Sequence, residues 1–242
     1  MTAWVEALEK RYLADVTFQE ARRALEALSA IYTQKRDRLA KGAALDGRGK
    51  RAAFAFFYGP LHFMLVQRIA LELGLAESAP SHIVDLGCGT GVGGAAWAAL
   101  VDPKPRIQGV DVDPWAIAEA RWTYGYFGLA AQTSKGTADN TRLADGSGII
   151  AAYTVNELDD GARGRLLKNL LEAKKRGCRA LILEPIAKTT SPWWPEWVSA
   201  FKDNGGRDDE WSFPAELPAR LRLMDKAAGL RHDRLKGRTL SF

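Results

Sequence analysis

The stretch Ile83-Val84-Asp85-Leu86-Gly87-Cys88-Gly89-Thr90-Gly91-Val92-Gly93-Gly94 decides the fold of this chain. A short apolar run ends at an acidic residue, and a glycine-dense turn follows at once. The alanine-rich segment 95–101 then has the composition of a helix. Strand, tight loop and helix form the first unit of an open α/β sheet, in which backbone amides at a helix N-terminus face a ligand. Glycine suits the loop because it adopts positive φ and lets a ligand approach the main chain.

Downstream of this stretch, apolar runs alternate with helical patterns, which predicts a parallel sheet with right-handed crossovers. The predicted strands are 106–112, 131–136, 148–153 and 179–184, and helices of about 115–124 and 161–175 separate them. After Pro185 the pattern predicts a Trp-rich helix, a strand at 209–213, a helix at 219–227 and a final strand near 238–242. The fold class is therefore α/β.

The N-terminal part has a helical pattern over residues 1–41, where apolar residues recur at steps of three and four. Thr17 and Glu20 have the spacing of a capping box at the start of the second helix. The glycine-containing segment 41–49 then predicts a break in the helix.

The segment 52–75 is strongly apolar, and Tyr58-Gly59-Pro60 interrupts it. Because proline disfavours helix at the residue before it, we expect two helical pieces with a kink or turn there. These patterns predict a helical region over 1–75 and the sheet-containing domain over 76–242.

Composition limits the class of protein. The chain has 242 residues, of which 47% are hydrophobic, two are cysteines and three are histidines, and its net charge is +5. No run approaches an uninterrupted membrane span, and the first residues do not resemble a signal peptide. Neither cysteine has metal-ligand spacing and the histidines are scattered, so we expect no metal site, no membrane and a cytoplasmic location.

Basic residues concentrate in three segments. Residues 35–51 hold seven basic residues against two acidic ones, 163–179 hold seven against one, and 220–238 hold seven against two. Such clusters can follow a phosphate backbone, which makes RNA or a ribosomal subunit a candidate partner. Solvated helix faces give the same counts, and a small-molecule acceptor also stays open.

The order Asp-Leu-Gly-Cys-Gly-Thr-Gly resembles the first motif of the class I S-adenosylmethionine (SAM)-dependent methyltransferases. The resemblance implies a mostly parallel, doubly wound, Rossmann-like sheet of seven strands with an N-terminal helical extension. In that family the glycines pass under the methionine and ribose parts of SAM. The acid that ends the strand, here Asp85, helps to orient the ligand through its amino group or through waters.

A dinucleotide-binding fold is the alternative. Gly89-Thr90-Gly91-Val92-Gly93-Gly94 satisfies G-x-G-x-x-G, and Asp111 lies near the offset at which such folds place a ribose-binding acid. However, Gly87 and Cys88 intervene between this pattern and the strand. Asp85 would also approach a pyrophosphate, which repels a carboxylate, whereas the cationic groups of SAM attract one.

A second acid ends the next predicted strand at Asp111. The resembled family uses an acid here to accept hydrogen bonds from the ribose hydroxyls, whereas Asp113 suits a helix N-cap. Asp139, after the third strand, stands where the family reads the adenine amino group, although it also suits a turn. Tyr58 could fold over the pocket or pack in the core. The implied SAM site comprises Asp85, Gly87, Cys88, Gly89, Gly91, Asp111, Val112, Asp139 and Tyr58.

The ends of the fourth and fifth strands predict the reaction site. In parallel sheets, ligands lie beyond the carboxyl ends of the strands. Tyr153 closes the fourth strand, and Asn156 and Glu157 follow it. Together with Leu183-Glu184-Pro185, they resemble the methyltransferase-like family of the mitochondrial small-ribosomal-subunit assembly factor. Members of that family often carry a cysteine cluster, which is absent from this sequence.

Tyr153, Asn156 and Glu157 are our candidate catalytic residues, because a base is needed only if the acceptor must lose a proton. The candidate substrate-binding residues are Glu184, Trp193 and Trp194. The two tryptophans are included because indole rings stack on planar acceptors. Core packing is the alternative for the tryptophans. SAM-dependent methyl transfer is thus the predicted function. A noncatalytic SAM-fold module that binds RNA or an assembly partner, and a nucleotide-dependent oxidoreductase, are the alternatives; the oligomeric state is open.

Overall fold

Seven strands form one sheet in the computed structural model, which describes residues 1–14, 16–34, 47–77, 80–187 and 191–242. The strands are β1 His82–Leu86, β2 Arg106–Asp111, β3 Ala131–Lys135, β4 Gly148–Ala152, β5 Arg179–Glu184, β6 Arg207–Pro214 and β7 Arg234–Ser241. Their order is β3-β2-β1-β4-β5-β7-β6. Strands β1 to β5 pair in parallel, whereas β7 is antiparallel to β5. The predicted α/β, mostly parallel seven-stranded sheet is confirmed.

The sheet order reverses direction between β1 and β4, which are neighbours. Strand β1 pairs on one side with β2 and on the other with β4, and the crossover connections leave in opposite directions. Such a switch point leaves a crevice at the carboxyl ends of the strands, where open α/β sheets bind their ligands. The fold therefore places the loops after β1, β2 and β4 around one crevice.

Nine α-helices accompany the strands in the described residues. Their bounds are α1 Thr2–Tyr12, α2 Phe18–Gln34, α3 Arg48–Ala53, α4 Gly59–Glu72, α5 Val92–Ala98, α6 Pro114–Tyr126, α7 Asp160–Lys175, α8 Trp194–Asp203 and α9 Ala219–Ala227. The predicted caps form: Thr17 and Glu20 exchange reciprocal hydrogen bonds at the start of α2. The Asp113 carboxylate accepts hydrogen bonds from the amides of Trp115 and Ala116 at the start of α6.

The interruption at Tyr58-Gly59-Pro60 is a change of helix type within one continuous helical run, so the predicted turn is wrong. Helix α3 passes into a π-helix at Phe54–Tyr58, which passes directly into α4. Gly59 is right-handed helical, with φ −50° and ψ −57°, so the expected departure from helix before Pro60 is wrong. A π-turn is wider than an α-turn, and this widening accommodates a ring that has no N–H to donate.

The helical run Arg48–Glu72 is long and apolar enough to cross a membrane, with a mean hydropathy of 1.2. Within this run, 61% of the most apolar stretch is buried inside the protein, as in the core helix of a globular domain. The predicted break at 41–49 falls mostly on residues 41–46, which lie outside the described residues.

Residue contacts divide the chain into two compact units. One unit comprises Met1–His62 and Phe213–Leu235, and the other comprises Phe63–Ser212 and Lys236–Phe242. The first unit is helical, and its fully buried side chains include Trp4, Leu25, Leu28, Phe57 and Leu221. The second unit holds the glycine-rich stretch and the parallel strands. The predicted boundary after residue 75 stays a prediction.

One face of the sheet in the second unit packs against α7 and α8. Apolar side chains of β1, β4 and β5 meet the apolar sides of the two helices in a single buried cluster. Its largest members are Leu86, Ile149, Leu166, Leu170, Ile182, Trp193, Trp194, Trp197 and Phe201. Apolar burial stabilises by roughly 25 cal/mol per Å², so this cluster stabilises the packing of α7 and α8 on the sheet.

Candidate active site

The loop between β1 and α5 has three glycines with left-handed backbone conformations. Gly87, Gly89 and Gly91 have φ values of 61°, 51° and 78°. A Cβ on Gly87 would lie 2.4 Å from the Thr154 side chain, and one on Gly91 would lie 2.8 Å from the Cα of Ala120. The packing of the protein itself therefore requires glycine at positions 87 and 91, and all three positive φ values favour glycine.

Asp85 lies beneath this loop, with 2% of its surface exposed. Its Oδ2 accepts hydrogen bonds from the Gly94 amide and from the Tyr124 hydroxyl, both at 2.8 Å. Burial raises the pKa of Asp85 to about 7, and the negative charge of Asp111 also raises it, against the two hydrogen bonds. Asp85 thus braces the loop from below, and its predicted contact with SAM stays a prediction.

Asp111 connects two loops at the end of β2. Its Oδ2 accepts a hydrogen bond from the Gly89 amide at 2.8 Å, and its Oδ1 accepts one from the Asp113 amide at 2.9 Å. A carboxylate has about four acceptor positions, so about two remain for other donors. Val112, the next residue, leaves 59% of its apolar surface exposed. This arrangement fits a ribose with two hydroxyl donors beside a flat apolar ring.

Asp139 follows β3 in a short 3₁₀-helix and is 4% exposed. Its Oδ2 accepts hydrogen bonds from Nε and Nη2 of Arg165, at 2.9 and 2.8 Å. Burial acts to raise its pKa, but hydrogen bonds with Thr137 and Arg165 outweigh burial and lower the pKa. The carboxylate is therefore ionised and engaged by Arg165, and its predicted adenine contact stays a prediction.

Cys88 and Tyr58 complete the predicted cofactor set. Cys88 is 5% exposed, and burial raises the pKa of its thiol well above the usual range. It is therefore a small buried thiol. Tyr58 belongs to the helical unit, where its ring packs edge-on against Phe57 with 5.5 Å between ring centroids. Its predicted position over the SAM pocket stays a prediction.

The end of β4 has an unusual backbone at Tyr153, which has φ 61° and is the one non-glycine residue with positive φ among those described. Such a conformation costs of order 1–3 kcal/mol and is commonest at functional sites. Burial raises the pKa of the Tyr153 phenol, and the charge of Glu184 adds to this. A phenol with a raised pKa stays protonated at neutral pH.

Asn156 connects three parts of the site. Its amide N and side-chain Nδ2 donate to the two oxygens of Glu184, at 3.1 and 2.6 Å. Its Oδ1 accepts from the Ser191 hydroxyl at 2.6 Å and from Nε1 of Trp193 at 2.9 Å. These partners occupy the carboxamide, which therefore positions the loop after β5. A direct catalytic role for Asn156 stays a prediction.

Two glutamates near this loop have raised pKa values. Glu184 is fully buried, and burial together with the charge of Glu157 raises its pKa to about 8. Burial of the carboxyl group, with the charge of Asp111, raises the pKa of Glu157 to about 7. The residue as a whole is exposed, and it lies in the short 3₁₀-helix Val155–Glu157 that follows β4. A glutamate of this kind suits proton transfer near neutral pH.

Trp193 and Trp194 are 7% and 6% exposed and belong to the buried cluster against β5. Trp193 also packs edge-on against Trp197, with 4.9 Å between ring centroids. Core packing therefore accounts for most of their surface. Their predicted contact with a substrate stays a prediction.

Sequence reasoning missed several residues that hold the site together. Tyr124, Thr154, Arg165 and Ser191 each bond to a residue far away in the chain, and no local spacing signals such pairs. Arg238 was counted within a basic cluster, but it is 4% exposed. No sequence pattern singles it out, because β7 also contains the basic residues Arg234 and Lys236.

One cavity in the second unit does not belong to the predicted SAM site. A cavity of about 370 Å³ opens beside α7 and is lined by Arg142, Asn169 and Arg176, among others, and by none of the predicted site residues. Among the described residues, no group of three or more His, Cys, Asp or Glu side chains could hold a metal ion.

Comparison with known proteins agrees with this geometry. Residues 83–177 match the family model of a methyltransferase domain. A 96-residue part of the chain is 36% identical to ribosomal RNA small subunit methyltransferase C of Ectopseudomonas mendocina. That part is 39% of this chain, and it spans only 28% of the relative.

Solved structures share the fold at low sequence identity. An O-methyltransferase-like protein of Nostoc punctiforme has a TM-score of 0.53 at 16% identity, covering 82% of this chain and 62% of that one. Mitomycin 7-O-methyltransferase MmcR has a TM-score of 0.55 at 17% identity, covering 98% and 71%.

The sheet order, the glycine loop with its two acids and the family match together define residues 83–177 as a domain of the class I SAM-dependent methyltransferase type, whose cofactor is SAM. Within the chain, residues 83–177 are the methyltransferase domain. This assignment favours SAM over the dinucleotide alternative.

Proposed function

We propose that this protein transfers the methyl group of SAM to RNA, with small-subunit ribosomal RNA as the first acceptor to test. The observation that carries the proposal is the 36% identity over 96 residues with a small-subunit ribosomal RNA methyltransferase. The net charge of +5 supports a polyanionic acceptor.

The residues of the crevice fit this reaction. When bound, SAM supplies an activated methyl group, so the protein has mainly to align the acceptor and exclude water. Asp111 retains acceptor positions for ribose hydroxyls, and the glycine loop presents bare main chain. Asn156 and Glu184 fix the loops at the ends of β4 and β5, where the acceptor would lie.

Glu157 is our candidate for the general base. A base is needed only if the acceptor atom carries a proton that it must lose. Burial of its carboxyl group raises the pKa of Glu157 to about 7, so an appreciable fraction is ionised at neutral pH and can accept a proton. Because Glu157 is an exposed residue as a whole, we expect that proton to pass on to solvent.

A noncatalytic RNA-binding module is the second candidate. The observation that favours it is the engagement of Asn156, whose carboxamide bonds entirely to Glu184, Ser191 and Trp193. A protein of this kind would bind SAM and RNA without methylating any cell fraction.

Incubation with labelled SAM tests the proposal. The purified chain is mixed separately with ribosomal RNA, protein and small-molecule fractions, and the uptake of label is measured. We expect label in the ribosomal RNA. Label in protein or small molecules alone would contradict an RNA acceptor, and SAM binding without label in any fraction would favour the second candidate.

Substitution of Asp111 tests the SAM site. Asp111→Asn removes the charge and turns one acceptor into a donor, so we expect SAM affinity measured by calorimetry to fall by about tenfold or more. Asp145→Asn, on the exposed loop before β4, is the matched control and should leave SAM affinity unchanged. Equal affinities of wild type and Asp111→Asn would remove Asp111 from the ribose role.

A further inference from the structure

The guanidinium group of Arg238 is buried in the sheet-containing unit without partners on one edge. Arg238 lies on β7, opposite Glu184 on β5, and is 4% exposed. Its Nε and Nη2 atoms have no hydrogen-bond partner in the described part of the chain. Native proteins rarely leave buried polar groups unpaired, and a buried charge without a partner is especially costly. This arrangement therefore requires an explanation.

The unpartnered atoms are the two that bind oxyanions best. In arginine, the N–H of Nε and one N–H of Nη2 point in parallel from the same edge of the planar group. This edge forms two parallel hydrogen bonds to the oxygens of a carboxylate or a phosphate. One face of the guanidinium is already occupied, since its Cζ lies 4.1 Å from the ring centroid of Trp194. The ring fixes the plane of the group and leaves the edge available.

The nearest acid does not satisfy Arg238. Both oxygens of Glu184 accept hydrogen bonds from Asn156, and no hydrogen bond or ion pair joins them to Arg238 in the described residues. Burial also raises the pKa of Glu184 to about 8, so this carboxyl group is mostly neutral at pH 7. The negative charge of Glu210 also attracts Arg238, but no hydrogen bond or ion pair joins the two among the described residues. A bound water could accept a hydrogen bond but would not supply a negative charge.

Arg238 also lies at the edge of the sheet where the acceptor is expected. Glu184 is the last residue of β5, and Asn156 follows β4, so both stand at the carboxyl ends of parallel strands. Because β7 is antiparallel to β5, its residue opposite Glu184 reaches the same edge. The guanidinium of Arg238 therefore lies next to Glu184 and Trp194, at the carboxyl end of β5.

We propose that the Nε–Nη2 edge of Arg238 binds an oxyanion of the methyl acceptor. The proposal rests on the proposed function, and with RNA as acceptor the oxyanion is a backbone phosphate next to the target nucleotide. A carboxylate on a small acceptor has the same chemistry. Because Arg238 is 4% exposed, the oxyanion reaches it only after a neighbouring side chain shifts.

Melting temperatures of the full chain test the anion site without any methyl transfer. Wild type, Arg238→Met and Arg238→Lys are heated at constant ionic strength with chloride, inorganic phosphate or acetate. Without a binding anion, we expect Arg238→Met to melt at or above the wild-type temperature, since it removes an unpaired buried charge and keeps a similar shape. Phosphate should raise the melting temperature of wild type and not that of Arg238→Met, with a smaller rise for Arg238→Lys.

Each outcome either identifies the kind of anion that binds, phosphate or carboxylate, or shows that Arg238 binds no anion. A shift of wild type with phosphate supports a phosphate ligand, and a shift with acetate alone supports a carboxylate. Equal shifts in wild type and both variants, or no shift with either anion, overturn the site. A large loss of stability in Arg238→Met and in Arg238→Lys also overturns it, because Arg238 would then be a structural residue. Arg207→Met, which removes an exposed arginine paired with Asp209 outside the basic segments, is the matched control and should respond like wild type.

Acceptor kinetics then connect the site to the reaction. We expect Arg238→Met to raise the KM for the RNA acceptor by about 30-fold or more, the usual effect of losing a buried charged contact. SAM affinity should stay unchanged. An unchanged KM would overturn the acceptor role. Because the melting experiment needs no methyl transfer, a chain that labels no fraction contradicts the proposed function and not the anion site.

Discussion

Gly94 shows how one residue connects the loop to its supporting acid. A Cβ at this position would lie 2.6 Å from Oδ2 of Asp85, closer than atoms can approach without a shift. The same oxygen accepts the hydrogen bond of the Gly94 amide. The hydrogen bond between Gly94 and Asp85 therefore forms only because residue 94 has no side chain.

We expect Gly94→Ala to lower the free energy of unfolding by about 1–3 kcal/mol, the usual cost of overpacking a buried site. It should also weaken SAM binding, because the shift of Asp85 moves the loop. Urea unfolding and calorimetry measure the two effects. Gly164→Ala is the control: it lies in α7, where an added methyl group would have no neighbouring atom within 4 Å, and should stabilise by about 0.4–1 kcal/mol. Equal stabilities of the two variants would contradict the packing argument.

Glu184 should make stability depend on pH. Burial raises its pKa from 4.5 to about 8, so the folded state keeps a proton that the unfolded chain releases near pH 4.5. Its stabilising contribution is complete below about pH 4.5 and is lost as the pH rises towards about 8. We expect the free energy of unfolding, from urea titrations, to fall across this window.

The variant Glu184→Gln should show a shallower fall, since its side chain is neutral at every pH. Asp85 and Glu157 also have raised pKa values, so part of the slope remains. Glu172→Gln, at an exposed residue that is paired with Lys175, should keep the wild-type slope. Identical slopes for Glu184→Gln and wild type would show that Glu184 is not protonated in the folded state.

At the scale of elements, α6 supports the crevice from the side. Its cap, Asp113, accepts hydrogen bonds from two amides of the first turn and donates its own amide to Asp111. Near its other end, Tyr124 reaches Asp85. One helix therefore positions both acids of the SAM site.

Removal of this cap should destabilise α6. We expect Asp113→Ala to lower the free energy of unfolding by about 1 kcal/mol, measured by urea unfolding. Asp160→Ala is the control, because Asp160 lies in the first turn of α7 but pairs only at the surface with Arg163. A larger loss in Asp160→Ala than in Asp113→Ala would contradict the capping argument.

The elements show which parts of the fold the sequence can predict. Strand β5 has the predicted bounds, because residues 180–183 form a continuous apolar run, and β2 differs from its predicted bounds by one residue. Strand β7 begins at Arg234, four residues before the predicted start, because Arg234-Leu235-Lys236-Gly237 carries no strand pattern. The π-helix before Pro60 was also missed, since helix type depends on how the ring is accommodated.

The site likewise has residues that the sequence predicts and contacts that it does not. Asp111 could be predicted because it ends an apolar strand, and that position faces the crevice in any sheet of this topology. The bonds of Asp85 to Tyr124 and of Asn156 to Glu184 could not, because they join residues 39 and 28 positions apart. Such contacts follow from helix placement and side-chain rotamers, which local sequence does not specify.

At the scale of the whole molecule, charge is the property that bears on an RNA acceptor. The net charge is +5, and residues 163–179 hold seven basic residues against one acidic residue. Several of these pair within the protein, including Arg176 with Asp145 and Lys175 with Glu172. Exposed pairs of this kind contribute about 0–1 kcal/mol, so a phosphate can replace the carboxylate at little cost.

RNA binding should therefore weaken steeply with salt. If about three phosphates are contacted, affinity for single-stranded RNA should fall roughly tenfold or more between about 50 and 200 mM salt, as counterions are released. Fluorescence anisotropy with a labelled ribosomal RNA fragment measures this slope. Replacing Lys168 and Lys175 by glutamine should flatten it if α7 contacts the RNA, whereas Lys104→Gln, on the loop before β2, should not. A response that is flat with salt in the wild type would contradict the RNA acceptor and favour a small molecule or a protein.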